Sequence, residues 1–166
     1  MTGPSAARPH MPGYGIAPAA GGSGLLPWSW ADARLRASHD FWLATVTPGG
    51  RPHLMPVWAV WTGEVLWFSS SLRSAKARNV AAGSAVSIAT DDPYQPVVLE
   101  GTAEIVTDEA ALRGFLDAMN TKYETSYEPD FLDPAANASM RLRPAKAFGL
   151  LEKDFSGSPT RWTFPA

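Results

Sequence analysis

The stretch Val65–Asn79, VLWFSSSLRSAKARN, decides how the chain is read. Val65 to Ser69 is apolar and β-prone and predicts a strand that runs into a serine-rich turn. The turn opens a helix expected from about Leu72 to Ala82, with Gly83 as its natural stop. Arg73, Lys76 and Arg78 crowd the start of that helix, and no acidic residue occurs between Glu64 and Asp91. A helix amino end carries partial positive charge and favours Asp or Glu, so this polarity is wrong for a helix that is only structural. Free backbone N–H groups, serine hydroxyls (Ser69, Ser70, Ser71, Ser74) and cations together make a site for a phosphate or another anion. Arg73 and Lys76 are helical neighbours able to share one phosphate, whereas Arg78 lies further round.

Working outward, Phe41 to Thr47 (FWLATVT) and His53 to Trp61 (HLMPVWAVW) read as strands joined by the turn Pro48-Gly49-Gly50. Together with Val65 to Ser69 they predict an antiparallel meander. Pro56 cannot donate a ladder hydrogen bond and marks an edge or a bulge. Trp58 and Trp61, three apart on one strand, are expected on opposite faces. Beyond the basic helix, Ala85 to Thr90 alternates as a half-buried strand, and Val97 to Val106 is a long strand in which Gly101 marks a bulge or a close backbone approach. Thr107 is the expected cap of a second helix whose Leu112, Phe115, Leu116, Met119 and Tyr123 form one apolar stripe. This helix has Asp108 and Glu109 at its start and Lys122 near its end, so it obeys the dipole rule that the first one violates. Ser139 to Arg143 and Ala145 to Glu152 read as strand broken at Pro144, and Arg161 to Phe164 as a short last strand. Ser29 to Ser38 predicts a short helix with a Ser29/Asp32 capping box. The sum is mainly β with α: six or seven antiparallel strands, two to three helices, a barrel or sandwich.

Composition bounds the rest. The 166 residues fit one domain, expected over 28–166, and residues 1–27, with six Gly and five Pro, are expected to be a flexible extension. A net charge of −2 favours neither nucleic acid nor an anionic membrane. No cysteine is present, which excludes disulfides and thiolate chemistry, and His10, His39 and His53 lack metal-ligand spacing. No apolar run reaches the ~20 residues that span a bilayer. The amino end lacks the pattern of a secretory signal, and a cytoplasmic location is expected.

The opening hairpin FWLATVT-PGGRPHLMPVW, the segment VLWFSSSLRSAKARNV and the strand VVLEGTAEIV together resemble the flavin-reductase-like split β-barrel family over about residues 38–164. That family contains pyridoxamine 5′-phosphate oxidase and the deazaflavin (F420)-dependent reductases of actinobacteria. The resemblance implies a homodimer with a cofactor at its interface and a small-molecule substrate. It implies that Ser70, Ser74 and Lys76, flanked by Arg73 and Arg78, hold the cofactor phosphate, and that Met55, Pro56, Val57 and Trp58 line the tricyclic ring. The candidate cofactor-binding set is completed by Ser69, Ser71 and Asn79. FMN oxidases of the family place a glutamine five residues before the glycine of the strand at Val97; here that position is Pro96, beside Gln95. The S-x-K-x-R-N helix and the R-W-x-F ending are closer to the F420 branch, whose cofactor carries a longer anionic tail.

The expected function is therefore F420-dependent hydride transfer to a small organic substrate. FMN-dependent oxidation or reduction, and non-catalytic binding of a flavin or haem, are the alternatives. No Ser/His/Asp or Cys/His arrangement points to a nucleophilic enzyme. His53 and Tyr94 are the candidate proton donors.

Overall fold

Alternation from Asp40 to Val46 places Phe41, Leu43 and Thr45 inside and leaves Trp42 and Val46 exposed, the pattern of a strand with one wet face. The computed structural model describes residues 3–165. In chain order its elements are β1 (Ser5–Ala7), α1 (Trp28–Ala37), β2 (Asp40–Val46), β3 (Pro52–Trp58), β4 (Val60–Trp61), β5 (Leu66–Ser71), α2 (Ala75–Ala81), β6 (Ala85–Thr90), β7 (Val97–Val106), α3 (Glu109–Tyr123), β8 (Asn137–Gly149) and β9 (Thr160–Thr163). Short 3₁₀ turns occupy Pro129–Leu132 and Glu152–Asp154.

The sheet is antiparallel and runs β1-β9-β8-β7-β6-β2-β3, with β5 also paired to β8 and β4 to β5. β3 and β5 lie side by side without ladder hydrogen bonds, so the sheet is not closed and the barrel is split there. Pro56 is on β3, an edge strand, where its missing N–H costs no ladder bond. The main core gathers Phe41, Leu43, Phe68, Ile88, Leu99, Met140 and Trp162 under α1 and α2. A second cluster joins Trp67 and Val106 to Phe115, Leu116 and Met119 of α3, with Trp67 stacked on Phe115 at 5.2 Å. β5 is thus covered on both faces, which is why Leu66-Trp67-Phe68 is apolar without alternation.

Several expectations are corrected. The count among the described residues is nine strands, because the His53–Trp61 run divides at Ala59 and because the extension contributes β1. The extension is not a loose tail: β1 pairs with β9, and the Arg8 guanidinium donates to the carbonyls of Gly157 and Pro159 at 2.8 Å and of Pro18 and Gly21 at 3.0 Å. Composition could not show this, since the partners that hold the extension lie at the other end of the chain. β8 continues through Pro144, because Pro144 faces Gly101 at a register shift where the ladder is already irregular. A Cβ on Gly101 would sit 2.0 Å from the Arg143 carbonyl oxygen, so the close approach demands glycine. The Ser29/Asp32 capping box does not form; the carboxylate of Asp32 accepts instead from Arg36 and from the indole N–H of Trp61. Asp108, not Thr107, caps α3, accepting from the Ala111 N–H at 2.9 Å. Helix α2 starts at Ala75 rather than Leu72, because the Ser74 side chain caps it.

Candidate functional site

Ser69, Ser70 and Ser71 belong to the end of β5, paired with Ser139, Ala138 and Asn137, and the turn is confined to Leu72 and Arg73. The Ser71 hydroxyl accepts from the Arg73 N–H at 3.2 Å, and Ser74 Oγ accepts from the Ala77 N–H at 3.2 Å. Both serines shape the turn and keep a hydroxyl proton to donate. Lys76 reaches back along the same side, its Nζ 3.3 Å from Ser70 Oγ, and burial pushes its pKa down from the ordinary lysine value. Arg78 curls toward the turn and donates to the Arg73 carbonyl at 2.7 Å. Arg73 itself precedes the helix and is exposed.

Asn79 lies inside. It is 3% exposed and donates to Thr45 Oγ1 at 2.9 Å, bolting α2 to β2. On β3, Val57 points into the core at 9% exposure; Met55 shares that face of the strand but is exposed, and Pro56 and Trp58 are exposed on the opposite face. The structure brings Ser70 of β5 and Lys76 of α2 together, and β3 runs beside β5 at the opening where the barrel is split. The side chains of Val57 and Asn79 are turned inward, away from that opening.

Two basic residues outside the serine-rich motif also belong to this region. A cleft of about 340 Å³ between the β2–β3 turn and α2 is lined by Thr47, Pro48, Arg51, Pro52, His53, Ala75, Arg78 and Asn79. His53 Nδ1 is shielded from water and has no hydrogen-bond partner. Arg51 carries no signal of its own in the sequence, since it stands in an ordinary turn; only the hairpin's return onto α2 carries it there. Among the described residues, Arg51, Arg73, Lys76 and Arg78 form no ion pair with a carboxylate. Four cations without counter-charges, on a chain of net charge −2, are a strong local field for an anion.

Tyr94 is 64% exposed beside Glu152 and Lys153 and is not among the residues gathered at α2. Gln95 gives its side-chain oxygen to Arg34 of α1. An apolar hollow of about 160 Å³ between α3 and the Pro129–Leu132 turn holds none of the expected site residues. Among the described residues no cluster of His, Cys, Asp or Glu could hold a metal ion, and no helix is long and apolar enough to cross a membrane.

The far end of β3 carries a second polar cluster. Trp58 stacks on Tyr123 of α3 with ring centroids 4.2 Å apart and planes 6° from parallel, and His39 meets both rings edge-on. The Tyr123 hydroxyl accepts from the Ala59 N–H at 2.8 Å, and Lys122 Nζ donates to the Ala59 carbonyl at 2.7 Å. Burial lowers the Lys122 pKa to about 8 and raises that of Tyr123 to about 12.

The sequence profile of the family described as pyridoxamine 5′-phosphate oxidase matches residues 31–150. Among solved structures, an F420 reductase is 30% identical, with a TM-score of 0.58 over 70% of this chain and 94% of that one. A conserved hypothetical protein of Mycobacterium tuberculosis is 23% identical, with a TM-score of 0.65 over 85% and 90% of the two chains. General stress protein 26 of Bacillus anthracis is 17% identical, with a TM-score of 0.59 over 73% and 91%. No curated protein matches the chain.

Proposed function

The chain belongs to the pyridoxamine 5′-phosphate oxidase family, a family of oxidoreductases that use flavin-type cofactors, and from that premise we propose that it is an F420-dependent reductase acting on a small organic substrate. The observation that carries this reading is the excess of unpaired cations around α2. Lys76 with Ser70 suffices for one phosphate group. Arg51, His53 and Arg78 line a separate cleft and suit further anionic groups on a longer tail. The 30% identity to an F420 reductase supports the same choice.

The residues present fit such a cofactor. Ser70, Lys76 and the free hydroxyl protons of Ser71 and Ser74 would hold its phosphate, and Arg73 and Arg78 would hold the tail. The exposed edge of β3, Met55 to Trp58, would lie along the ring, Val57 contributing backbone only. When bound, a deazaflavin supplies two-electron hydride chemistry; the protein's share is binding, orientation and exclusion of water. His53, in the cleft, is better placed than Tyr94 to hold a proton near the site.

An FMN-dependent enzyme is the second reading, favoured by the family's name alone. Partnership with a second copy of this chain belongs to the same proposal. The outer face of β2 and β3 exposes Trp42 (47%), Leu54 (58%) and Trp58 (40%), an apolar patch that a second protomer would cover.

Titration of the protein with F420 and with FMN, together with absorbance of the purified material, tests the choice. Tighter binding of F420 is the expected result. Preference for FMN would overturn the F420 assignment, and binding of neither below about millimolar would overturn both. Sedimentation of wild type and Leu54→Glu tests the dimer: a dimer that dissociates in the variant is expected, and a wild-type monomer would refute it.

A further inference from the structure

Ala59 is where the second long strand stops. β3 ends at Trp58, β4 resumes at Val60, and the Ala59 peptide loses its ladder partners at that corner. Two consecutive residues at the end of α3 replace them. Ala59 N–H donates to the Tyr123 hydroxyl at 2.8 Å, and the Ala59 carbonyl accepts from Lys122 Nζ at 2.7 Å. The single phenolic proton has two acceptors within reach, the His39 carbonyl at 2.8 Å and the Ala59 carbonyl at 3.0 Å. A hydroxyl can donate only one full hydrogen bond. With Lys122 serving Ala59, the Tyr123 proton is free for His39, and one phenol ties β3, the residue ahead of β2 and α3 together. The ring of Tyr123 meanwhile lies flat against Trp58. The chain leaves this helix through Glu124 at φ 53°, the one non-glycine residue with positive φ among the described residues. That conformation costs about 1 kcal/mol and persists only where the surroundings determine it.

We infer that Lys122 and Tyr123 are positioning residues of the proposed cofactor site, holding the Ala59 corner and the Trp58 indole in the orientation that the ring meets. The inference rests on reading Met55–Trp58 as the ring-lining edge. Lys122 does not touch the anion site; it acts through Ala59 and Trp58. Its ammonium lies 4.9 Å over the Phe41 ring and feels Asp40 and Asp91, with His39 and Tyr123 beside it. Burial in the clamp lowers the Lys122 pKa, so by linkage the clamped corner is favoured further as the pH rises through about 8 toward the ordinary lysine value.

The test is titration of the intact protein with F420 and FMN between about pH 7 and about 9.5, in wild type, Lys122→Arg, Lys122→Met and Tyr123→Phe. Lys122→Arg stays charged throughout; it is expected to bind as wild type does at pH 7 and to lack the strengthening that Lys122 gives wild type above about pH 8. Because Lys76 can also titrate, the difference between these two profiles is the readout. Lys122→Met and Tyr123→Phe are expected to bind about five- to tenfold more weakly at pH 7. Tyr123→Phe should also change the near-UV circular dichroism of the stacked Trp58, with far-UV spectra confirming the fold. If all three variants bind like wild type with its pH profile, the inference fails and the proposed function stands. If wild type binds neither cofactor, the proposed function fails and this inference with it.

Discussion

Helices α2 and α3 sit on the same sheet and are capped by the same device, a side-chain oxygen accepting the N–H three residues on: Ser74 to Ala77 and Asp108 to Ala111. Beyond the cap they differ. α3 adds Glu109 in its first turn, pairs it with Arg113 at 2.8 Å, ends on Lys122 and buries Leu112, Phe115, Leu116 and Met119. α2 has seven residues, no acid in its first turn, and Lys76 and Arg78 without counter-ions. Its buried contribution is Ala77, Asn79 and Val80, enough to seat it and little more. One helix spends its sequence on stability. The other leaves its cations without carboxylate partners, the feature on which the proposed anion site rests.

The contrast can be broken by substitution. The largest effect is expected for Phe115→Ala in α3, which removes a 4%-exposed ring stacked on Trp67 and should cost about 3–5 kcal/mol in denaturant unfolding. A loss below about 1 kcal/mol would show that α3 is not the structural helix. Lys76→Ala should act the opposite way, weakening cofactor binding by about 1.5–3 kcal/mol while folding stability moves by no more than about 0.5 kcal/mol. An unchanged dissociation constant would remove Lys76 from the site. Asp108→Ala should cost about 1 kcal/mol of stability and leave cofactor affinity alone, which thermal unfolding and titration would check side by side.

The smallest effect is in the pH dependence of stability, since Lys122 and Tyr123 are only half removed from water. Lys122 falls from 10.5 to about 8 on folding, so the unfolded chain holds the extra proton between those values and stability rises with pH there. Tyr123 rises from 10.0 to about 12, so its contribution is complete below 10.0 and lost as the pH climbs toward 12. Their joint contribution should therefore peak near pH 10, and the double variant Lys122→Met/Tyr123→Phe should flatten that part of the profile.

Much of the fold was legible in local patterns. The bounds of β6 and β7 come from apolar alternation ending at turn residues, and Gly101 inside the strand pointed to a bulge or a close backbone approach, both of which the structure has. Glycine closure of α2 was equally readable: Gly83 has φ 83°. What failed depended on distant partners. Pro144 looks like a strand breaker until Gly101 lies opposite, and Asp32 looks like a cap until the indole of Trp61 takes it. The ordering of the extension depends on Arg8 meeting carbonyls some 150 residues away along the chain, at Gly157 and Pro159.

The site divides in the same way. Charge order along residues 73–78 is a property of the sequence alone, and it marked α2 as the candidate anion-binding helix because acids are absent over a continuous stretch. Which side chains reach the opening was decided by tertiary structure. Pleating turns Val57 inward, and the packing of α2 on β2 engages Asn79 with Thr45. The return of the β2–β3 hairpin brings Arg51 and His53 to Arg78. The break at Ala59 is supplied by Lys122 and Tyr123, more than 60 residues on. Local sequence sets charge and periodicity, because those need only neighbours; orientation and enclosure need the partners that the folded chain delivers.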